Sequence, residues 1–256
     1  MVGIGESVMK QQYRSLTGLA IAIASLPVIL GLLACLPVPL GDPEKSRIDP
    51  DLSGMWIMDG ESIVLMEPFD KRSWLLTMAN LINDVDECGS DEGSDEDDEE
   101  DDGYTSLVNK IERLGASCFT ADAVSLFKAW RVRLGGEWFM TWEVKGHHDD
   151  EYGFASEFWY GFRIEKSGSD EFSLWMIDGE SYEGFDDLDK LELLKDMDPP
   201  YDPRALKKAR RAVERVIARN VDDEELYDDS PWVFHRVEPE HHDMFESFLD
   251  DVVGIE

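Results

Sequence analysis

The stretch Phe127-Lys128-Ala129-Trp130-Arg131-Val132-Arg133-Leu134-Gly135-Gly136-Glu137-Trp138-Phe139-Met140-Thr141-Trp142-Glu143-Val144 decides the fold class. Its first arm, residues 127–133, alternates apolar and basic side chains, which is typical of a strand with one face in water. The second arm covers residues 138–144, and the glycine pair between the arms suits a tight turn. The stretch therefore predicts an antiparallel β-hairpin.

Short runs of the same kind flank this hairpin on both sides. They are rich in β-branched, aromatic and large apolar residues, and Asp-Gly or Ser-Gly turns separate them. They cover residues 55–58, 62–69, 74–79, 158–166, 171–177 and 232–237. We therefore expect a mainly β (α+β) fold, an antiparallel β-barrel or sandwich of about eight or nine strands.

In two segments the apolar residues recur with the spacing of an α-helix. Asp202 suits a helix N-cap with Pro203 at the first position, and apolar residues then recur every three or four positions up to Asn220. This predicted amphipathic helix carries seven basic residues against one acidic residue, Glu214. Two interpretations stay open, a solvated face paired with nearby carboxylates or a docking surface for lipid head groups or an acidic partner. A short final helix is predicted by the apolar face of Met244, Phe245, Phe248 and Leu249.

The N-terminus has the features of a secretory signal. Lys10 and Arg14 precede an apolar run at residues 16–30, and Leu32-Leu33-Ala34-Cys35 follows. That string resembles the lipobox of bacterial lipoproteins. The resemblance implies a signal peptide at residues 1–34, a lipid such as palmitate on Cys35 and a proline-bearing tether at residues 35–49. It also implies the periplasmic side of the outer membrane, since Leu36 follows the cysteine. The alternative is an uncleaved transmembrane helix at residues 16–34.

The charge of the chain is strongly negative and unevenly spread. The 256 residues carry a formal net charge of -33, which excludes nucleic acid as a partner because phosphates need a basic face. Between Asn83 and Gly103 thirteen residues are acidic and none is basic. We interpret residues 83–103 as a disordered insertion within a single β-rich domain at residues 50–256. Loose association of divalent cations with this run is an alternative, although the ligand spacing of an EF-hand is missing.

Cys88 and Cys118 flank the acidic run. If Cys35 carries lipid, these two cysteines remain, and an oxidising compartment would favour a disulfide between them. The alternative is a buried Cys118 with a free thiol at Cys88, because spacing alone does not determine connectivity.

One family comparison rests on three residues. Gly54-Met55-Trp56 at the first strand, followed by antiparallel strands, a helix and a further strand, resembles lipocalins. That resemblance implies a barrel for an apolar ligand, with Trp56 closing its base and Arg236 packing on the tryptophan. The Thr-Asp-Tyr turn motif of that family is missing, and the acidic insertion is foreign to it. The hairpin at residues 134–139 also resembles Leu-Gly-Gly-x-x-Phe hairpins of bacterial lipoproteins whose function is unassigned.

The sequence contains none of the common catalytic motifs, neither a nucleophile elbow nor a phosphate-binding glycine loop. Two histidine pairs, His147-His148 and His241-His242, lie near acidic residues, but adjacent histidines point in different directions. We therefore expect a non-enzymatic binding module without a metal or cofactor. Its predicted partner is the membrane, together with an apolar small molecule. The alternative is a periplasmic immunity or inhibitor protein whose acidic surface neutralises a basic toxin or wall-degrading enzyme.

Overall fold

Eight strands form one closed antiparallel barrel in which neighbouring strands pair in chain order and β8 pairs with β1. The computed structural model describes residue 36 and residues 38–83, 103–147, 159–179, 182–185 and 202–253. The mainly β prediction is confirmed, and the barrel rather than the sandwich is formed. The strands are β1 (Gly54–Met58), β2 (Ser62–Pro68), β3 (Trp74–Asn83), β4 (Phe119–Leu134), β5 (Glu137–His147), β6 (Trp159–Lys166), β7 (Glu171–Met176) and β8 (Trp232–Arg236).

In the described part of the chain three α-helices accompany the barrel: α1 (Gly103–Leu114), α2 (Pro203–Arg219) and α3 (His242–Val253). The predicted amphipathic helix and the final helix are thus confirmed as α2 and α3. The Asp202 side chain caps α2 by accepting a hydrogen bond from the Arg204 N–H. Helix α1 was not predicted, although Tyr104, Leu107, Val108 and Ile111 form its buried face.

The hairpin of β4 and β5 closes through Gly135 and Gly136. Leu134 pairs with Glu137 across the turn, and the two glycines have φ angles of +60° and +104°. A two-residue turn with both φ angles positive matches the twist of the strands, which is why glycines suit it.

The prediction of one wet face for the first arm of this hairpin is wrong. Phe127 and Ala129 belong to the barrel interior, but Trp130, on the outer face, is 3% exposed. Its indole N–H donates to the carbonyl oxygen of Leu40. The apolar positions change phase along this arm because residues 36–41 cover its outer face.

The barrel interior is filled by large side chains. Trp142 lies at its centre, and its ring centroid is 4.9 to 6.4 Å from those of four aromatic residues, Phe127, Phe162, Trp232 and Phe234. Phe172 and Phe234 stack at 4.5 Å. Aromatic pairs at these distances stabilise the fold beyond the area that they bury.

Trp56 closes one end of the barrel, which we name the closed end. It is 1% exposed, and its indole N–H donates to the Leu52 carbonyl oxygen at 3.0 Å. Arg236 pairs with Trp56 across β1 and β8, and its guanidinium carbon lies 4.1 Å from the ring centroid. This is the contact that the lipocalin resemblance implies. The guanidinium also donates to three carbonyl oxygens, those of Asp51, Ser53 and Ser169.

Because Gly54 has no side chain, there is space beside it for the Arg236 guanidinium. Its φ is +129°, and a Cβ atom placed there would lie 2.8 Å from Nη1 of Arg236. The backbone conformation and the close approach both favour glycine over any other residue. The first residue of the Gly-x-Trp motif is therefore explained by the arginine that packs beside it.

Replacing Arg236 by methionine is expected to lower the free energy of unfolding by about 2–4 kcal/mol. The variant keeps the aliphatic length but loses the cation–π contact and the charged hydrogen bonds to the carbonyl groups. Arg133→Met is the matched control, because Arg133 is exposed and should lose less than about 0.5 kcal/mol. Urea unfolding measures both; equal midpoints for the two variants would contradict the assigned role of Arg236.

Helices α1 and α3 cover one outer side of the barrel. They pack on the outward residues of β1 to β4, and Phe245 of α3 is fully buried there. Helix α2 covers a second outer side, where Phe139, Ala209, Val213 and Ile217 share one buried cluster.

The predicted tether is corrected by this second cluster. Leu36, Val38 and Leu40 are 2%, 0% and 0% exposed and belong to the cluster under α2. The Leu36 N–H donates to the Trp159 carbonyl oxygen at 2.8 Å. Leu36 and residues 38–40 are therefore part of the packed domain, because the apolar side chains of Leu36, Val38 and Leu40 cover the outer face of the barrel. The predicted signal peptide and Cys35 lie outside the described residues.

Most of the predicted acidic insertion, residues 84–102, also lies outside the described residues. Its two boundary residues do not: Asn83 ends β3 and Gly103 begins α1. Asn83 pairs with Phe119, and Gly103 packs closely against Gly60.

Candidate functional site

A ring of partly exposed apolar side chains lies at the end of the barrel opposite Trp56, which we name the open end. Residues 84–102 and 148–158, which follow β3 and β5 at this end, lie outside the described residues. Each member of the ring packs on the interior cluster of the barrel. The ring contains three methionines and two aromatic residues. Its members are Met58, Met78, Val144, Tyr160, Met176 and Trp232.

The ring is shallow because Trp142 and its aromatic neighbours fill the barrel beneath it. Trp232 forms part of the floor as well, since its ring centroid lies 5.1 Å from that of Phe162. Methionine adapts its shape readily and is common on surfaces that accept varied apolar partners. The arrangement suits contact with an apolar group at the open end rather than deep enclosure within the barrel.

The aromatic residues of three predicted strands, at residues 127–133, 138–144 and 158–166, occupy four different settings. Trp142 and Phe162 fill the interior, and Tyr160 belongs to the ring. Trp130 and Trp159 are buried on the outer face beside Leu40 and Leu36. Trp138 is 40% exposed, and Phe158 lies outside the described residues.

A second candidate site is a groove of about 450 Å³ between the barrel and α2. It runs between residues 41–47, β4 and α2, and we name it the basic groove. Trp138 lies in it, with the Arg131 guanidinium 4.2 Å from the indole ring centroid. Its basic lining residues are Lys45, Arg47, Arg131, Arg133, Lys207, Arg210 and Arg211.

Among the described residues, three of these cations have carboxylate partners. Lys45 lies 3.6 Å from Asp42, Arg210 lies 3.8 Å from Glu214, and Arg131 pairs with Asp49. Burial by itself would raise the pKa of Asp49, but the hydrogen bond from Lys166 and the charges of Arg131 and Lys166 outweigh it. The pKa of Asp49 therefore lies below its usual value, so the carboxylate stays ionised and neutralises part of Arg131.

The exposed face of α2 continues the basic groove along the helix. Six exposed basic residues project from this face, and we name them the basic stripe. In the described part of the chain none of the six lies within 4 Å of a carboxylate. The basic stripe consists of Arg204, Lys207, Lys208, Arg211, Arg215 and Arg219. Together the stripe and the groove hold eleven of the 24 lysines and arginines of the chain.

Cys118 is disulfide-bonded. The other two cysteines, Cys35 and Cys88, lie outside the described residues, so pairing with Cys88 stays a prediction. Cys118 itself is 5% exposed, in the cluster that joins α1, α3 and the barrel wall.

Among the described residues, His147 does not share a group of possible metal ligands with His241 or His242. His148 lies outside the described residues, and His241 and His242 follow β8 near the start of α3. His241 forms a possible ligand group with Glu238 and Glu240, whose ligand atoms all lie within 4.8 Å of one another. Both glutamates are exposed, and Nδ1 of His241 is hydrogen-bonded to the Tyr104 hydroxyl at 2.7 Å. We assign no metal to this group.

Comparison with family models, with curated proteins and with solved structures finds no match for this chain. Among the described residues no helix is both long and apolar enough to cross a bilayer.

Sequence reasoning missed both the ring at the open end and the assembly of the basic groove. The ring has a signal, because Met58, Met176 and Trp232 share the strand parity of the interior residues Trp56, Leu174 and Phe234. The groove has a weaker signal in the sequence, because residues 41–47 and β4 meet α2 only through contacts between distant parts of the chain. Only the seven basic residues of α2 were recognised in advance.

Proposed function

We propose that this protein is a lipid-anchored, non-enzymatic binding module of the bacterial cell envelope that binds an apolar ligand at the open end of its barrel. The ring at the open end carries this proposal. Methionine and aromatic side chains supply apolar contact area, and apart from the Tyr160 hydroxyl the ring offers no acid-base or nucleophilic group.

The location rests on two separate observations. Lys10, Arg14 and the apolar run before Cys35 fit a secretory signal with a lipid attachment site. The disulfide bond at Cys118 favours an oxidising compartment such as the periplasm. Both point away from the reducing cytosol, and the outer membrane is the proposed site because Leu36 follows Cys35.

Titration with a fluorescent fatty-acid analogue tests the apolar site. The wild-type protein is expected to bind the probe and to release it when unlabelled fatty acid or lysophospholipid is added. Met176→Lys should weaken binding at least tenfold, because a charge placed in an apolar contact must be desolvated. Met58→Lys, on a different strand of the ring, should act in the same way.

Phe69→Lys is the matched control for these variants. Phe69 is 61% exposed and lies in the turn after β2, at the closed end, so the same apolar-to-lysine change should leave probe binding unaltered. Circular dichroism verifies that all variants are folded. Failure of the wild type to bind any displaceable probe, or equal affinities for Met176→Lys and Phe69→Lys, would rule out the site.

The net charge of -33 favours a second candidate function, inhibition of a basic toxin or wall-degrading enzyme. Such a complex forms through the acidic surface rather than through the ring. Its affinity for a basic envelope enzyme such as a lysozyme would fall steeply with salt, and Met176→Lys would not alter it. The divalent-cation alternative concerns residues 84–102, which are not described.

A further inference from the structure

We propose that the basic stripe of α2 and the basic groove beside it dock the protein onto the anionic phospholipid surface of the membrane that holds Cys35. The proposal rests on the proposed lipid anchor and adds an orientation to it. The barrel would lie with this flank against the head groups.

The charges of the basic stripe destabilise the helix that carries them. Arg204 and Lys208, Lys207 and Arg211, and Arg211 and Arg215 are like-charged pairs four residues apart, which destabilise a helix. The first turn of α2 has no acidic residue, and Arg204 there is unfavourable at the positive end of the helix dipole. Helix stability therefore does not account for this charge pattern.

Carboxylate pairing does not account for it either. The chain has 57 acidic residues, yet in the described ranges none of them lies within 4 Å of a stripe cation. Glu214, the single acid of α2, is occupied elsewhere: it accepts from the Gly41 N–H at 2.9 Å and pairs with Arg210. The interpretation of a solvated face paired with neighbouring carboxylates thus has no support among the described residues.

The position of the anchor favours a membrane as the occupant. Leu36 follows Cys35 directly, and it is buried with Ala209 and Val213 of α2 in one cluster. No free linker separates the described domain from the lipid attachment residue. A lipid on Cys35 would therefore begin beside the flank that carries the stripe.

The charge and shape of the stripe favour an anionic bilayer over an acidic protein. Arg204 and Arg219 are about 22 Å apart along the helix, at about 1.5 Å per residue, so the stripe presents an extended row to a flat surface. Trp138, exposed in the groove, suits the head-group region, where tryptophan is enriched. The remaining surface is strongly acidic and would be repelled by anionic lipid.

Amine labelling of the full mature protein in vesicles tests the docking. The membrane-purified protein is placed in pure phosphatidylcholine or in an equimolar mixture of phosphatidylcholine and phosphatidylglycerol. Labelling of Lys207 and Lys208 should slow at least fivefold in the mixture, and high salt should reverse the effect. Lys71, exposed in the turn after β2, should label at the same rate in both vesicles.

A double variant, Arg211→Gln with Arg215→Gln, sharpens the test. A basic residue near an anionic surface strengthens binding roughly fivefold, so removing two should weaken docking about thirtyfold and abolish the protection of Lys207. Lys71→Gln with Lys110→Gln removes the same charge away from the stripe and should retain the protection. Circular dichroism establishes that both variants keep their helices.

The outcomes separate the docking surface from the anchor. Equal labelling in both vesicles, with the protein bound to each, overturns the docking and leaves the anchor standing. Binding to the mixture alone, with salt dependence, supports the docking and overturns the anchor. Binding to neither overturns both. Protection that is independent of phosphatidylglycerol but follows an added acidic protein would assign the stripe to a protein partner and overturn the proposal.

Discussion

Replacing Trp142 by alanine is expected to lower the free energy of unfolding by about 3–5 kcal/mol, the usual cost of deleting a buried aromatic side chain. Trp142 is 1% exposed and contacts aromatic residues from β4, β6 and β8. The cavity would lie at the centre of the barrel, where the surrounding strands close on one another and relax little. Urea unfolding followed by circular dichroism measures the loss.

Trp138→Ala is the matched control, since the residue lies on the same strand and has the same size. Trp138 is 40% exposed, and its contact with Arg131 should account for less than about 1 kcal/mol. Trp142→Phe should retain a large part of the stability because it keeps an aromatic ring in the cluster. A loss for Trp142→Ala no larger than that for Trp138→Ala would contradict the packed interior.

The replacement of Cys35 by alanine is expected to abolish acylation of the protein completely. Cells grown with a clickable palmitate analogue should label the wild-type chain and the Cys88→Ala control, but not Cys35→Ala. When residues 1–34 are exchanged for an ordinary cleavable secretory signal, the chain without Cys35 should leave the membrane fraction. Persistent labelling of Cys35→Ala would show that the lipid is attached elsewhere or that the assignment is wrong.

The strands were predictable because their pattern is local. Alternating side chains and the Gly135-Gly136 turn are visible within a few residues, and they specify the β4–β5 hairpin. The contact between Arg236 and Trp56 joins residues 180 positions apart, and only the resemblance to lipocalins suggested it. The structure places the two side chains in contact, whereas a relation to lipocalins stays a prediction.

Two errors of prediction have identifiable causes. The apolar spacing of Tyr104, Leu107, Val108 and Ile111 is a clear helical signal, but it follows directly on the acidic run, and no element was predicted there. Leu36, Val38 and Leu40 alternate as a strand does, yet the prolines between them favoured a tether. Their burial depends on β6 and α2, more than a hundred residues away, so no local pattern specifies it.

The basic groove likewise depends on contacts between distant segments, so no local pattern predicts it. Residues 41–47, β4 and α2 contribute its cations, and only the closed barrel brings them together. Gly41 joins the first of these segments to α2. Its N–H donates to the Glu214 carboxylate, and its carbonyl oxygen accepts a hydrogen bond from Arg210 at 2.7 Å. The sequence indicates the charge of each segment, whereas their common surface requires the fold.

The central claim is that a barrel domain beginning at Leu36 is held at the membrane by a lipid on Cys35 in an oxidising compartment. Intact mass spectrometry of the membrane-purified protein tests it most directly. The account predicts the mass of residues 35–256 plus a covalent lipid, less two hydrogens for one disulfide bond at Cys118. An unprocessed chain without lipid, or free thiols at both Cys88 and Cys118, would contradict it.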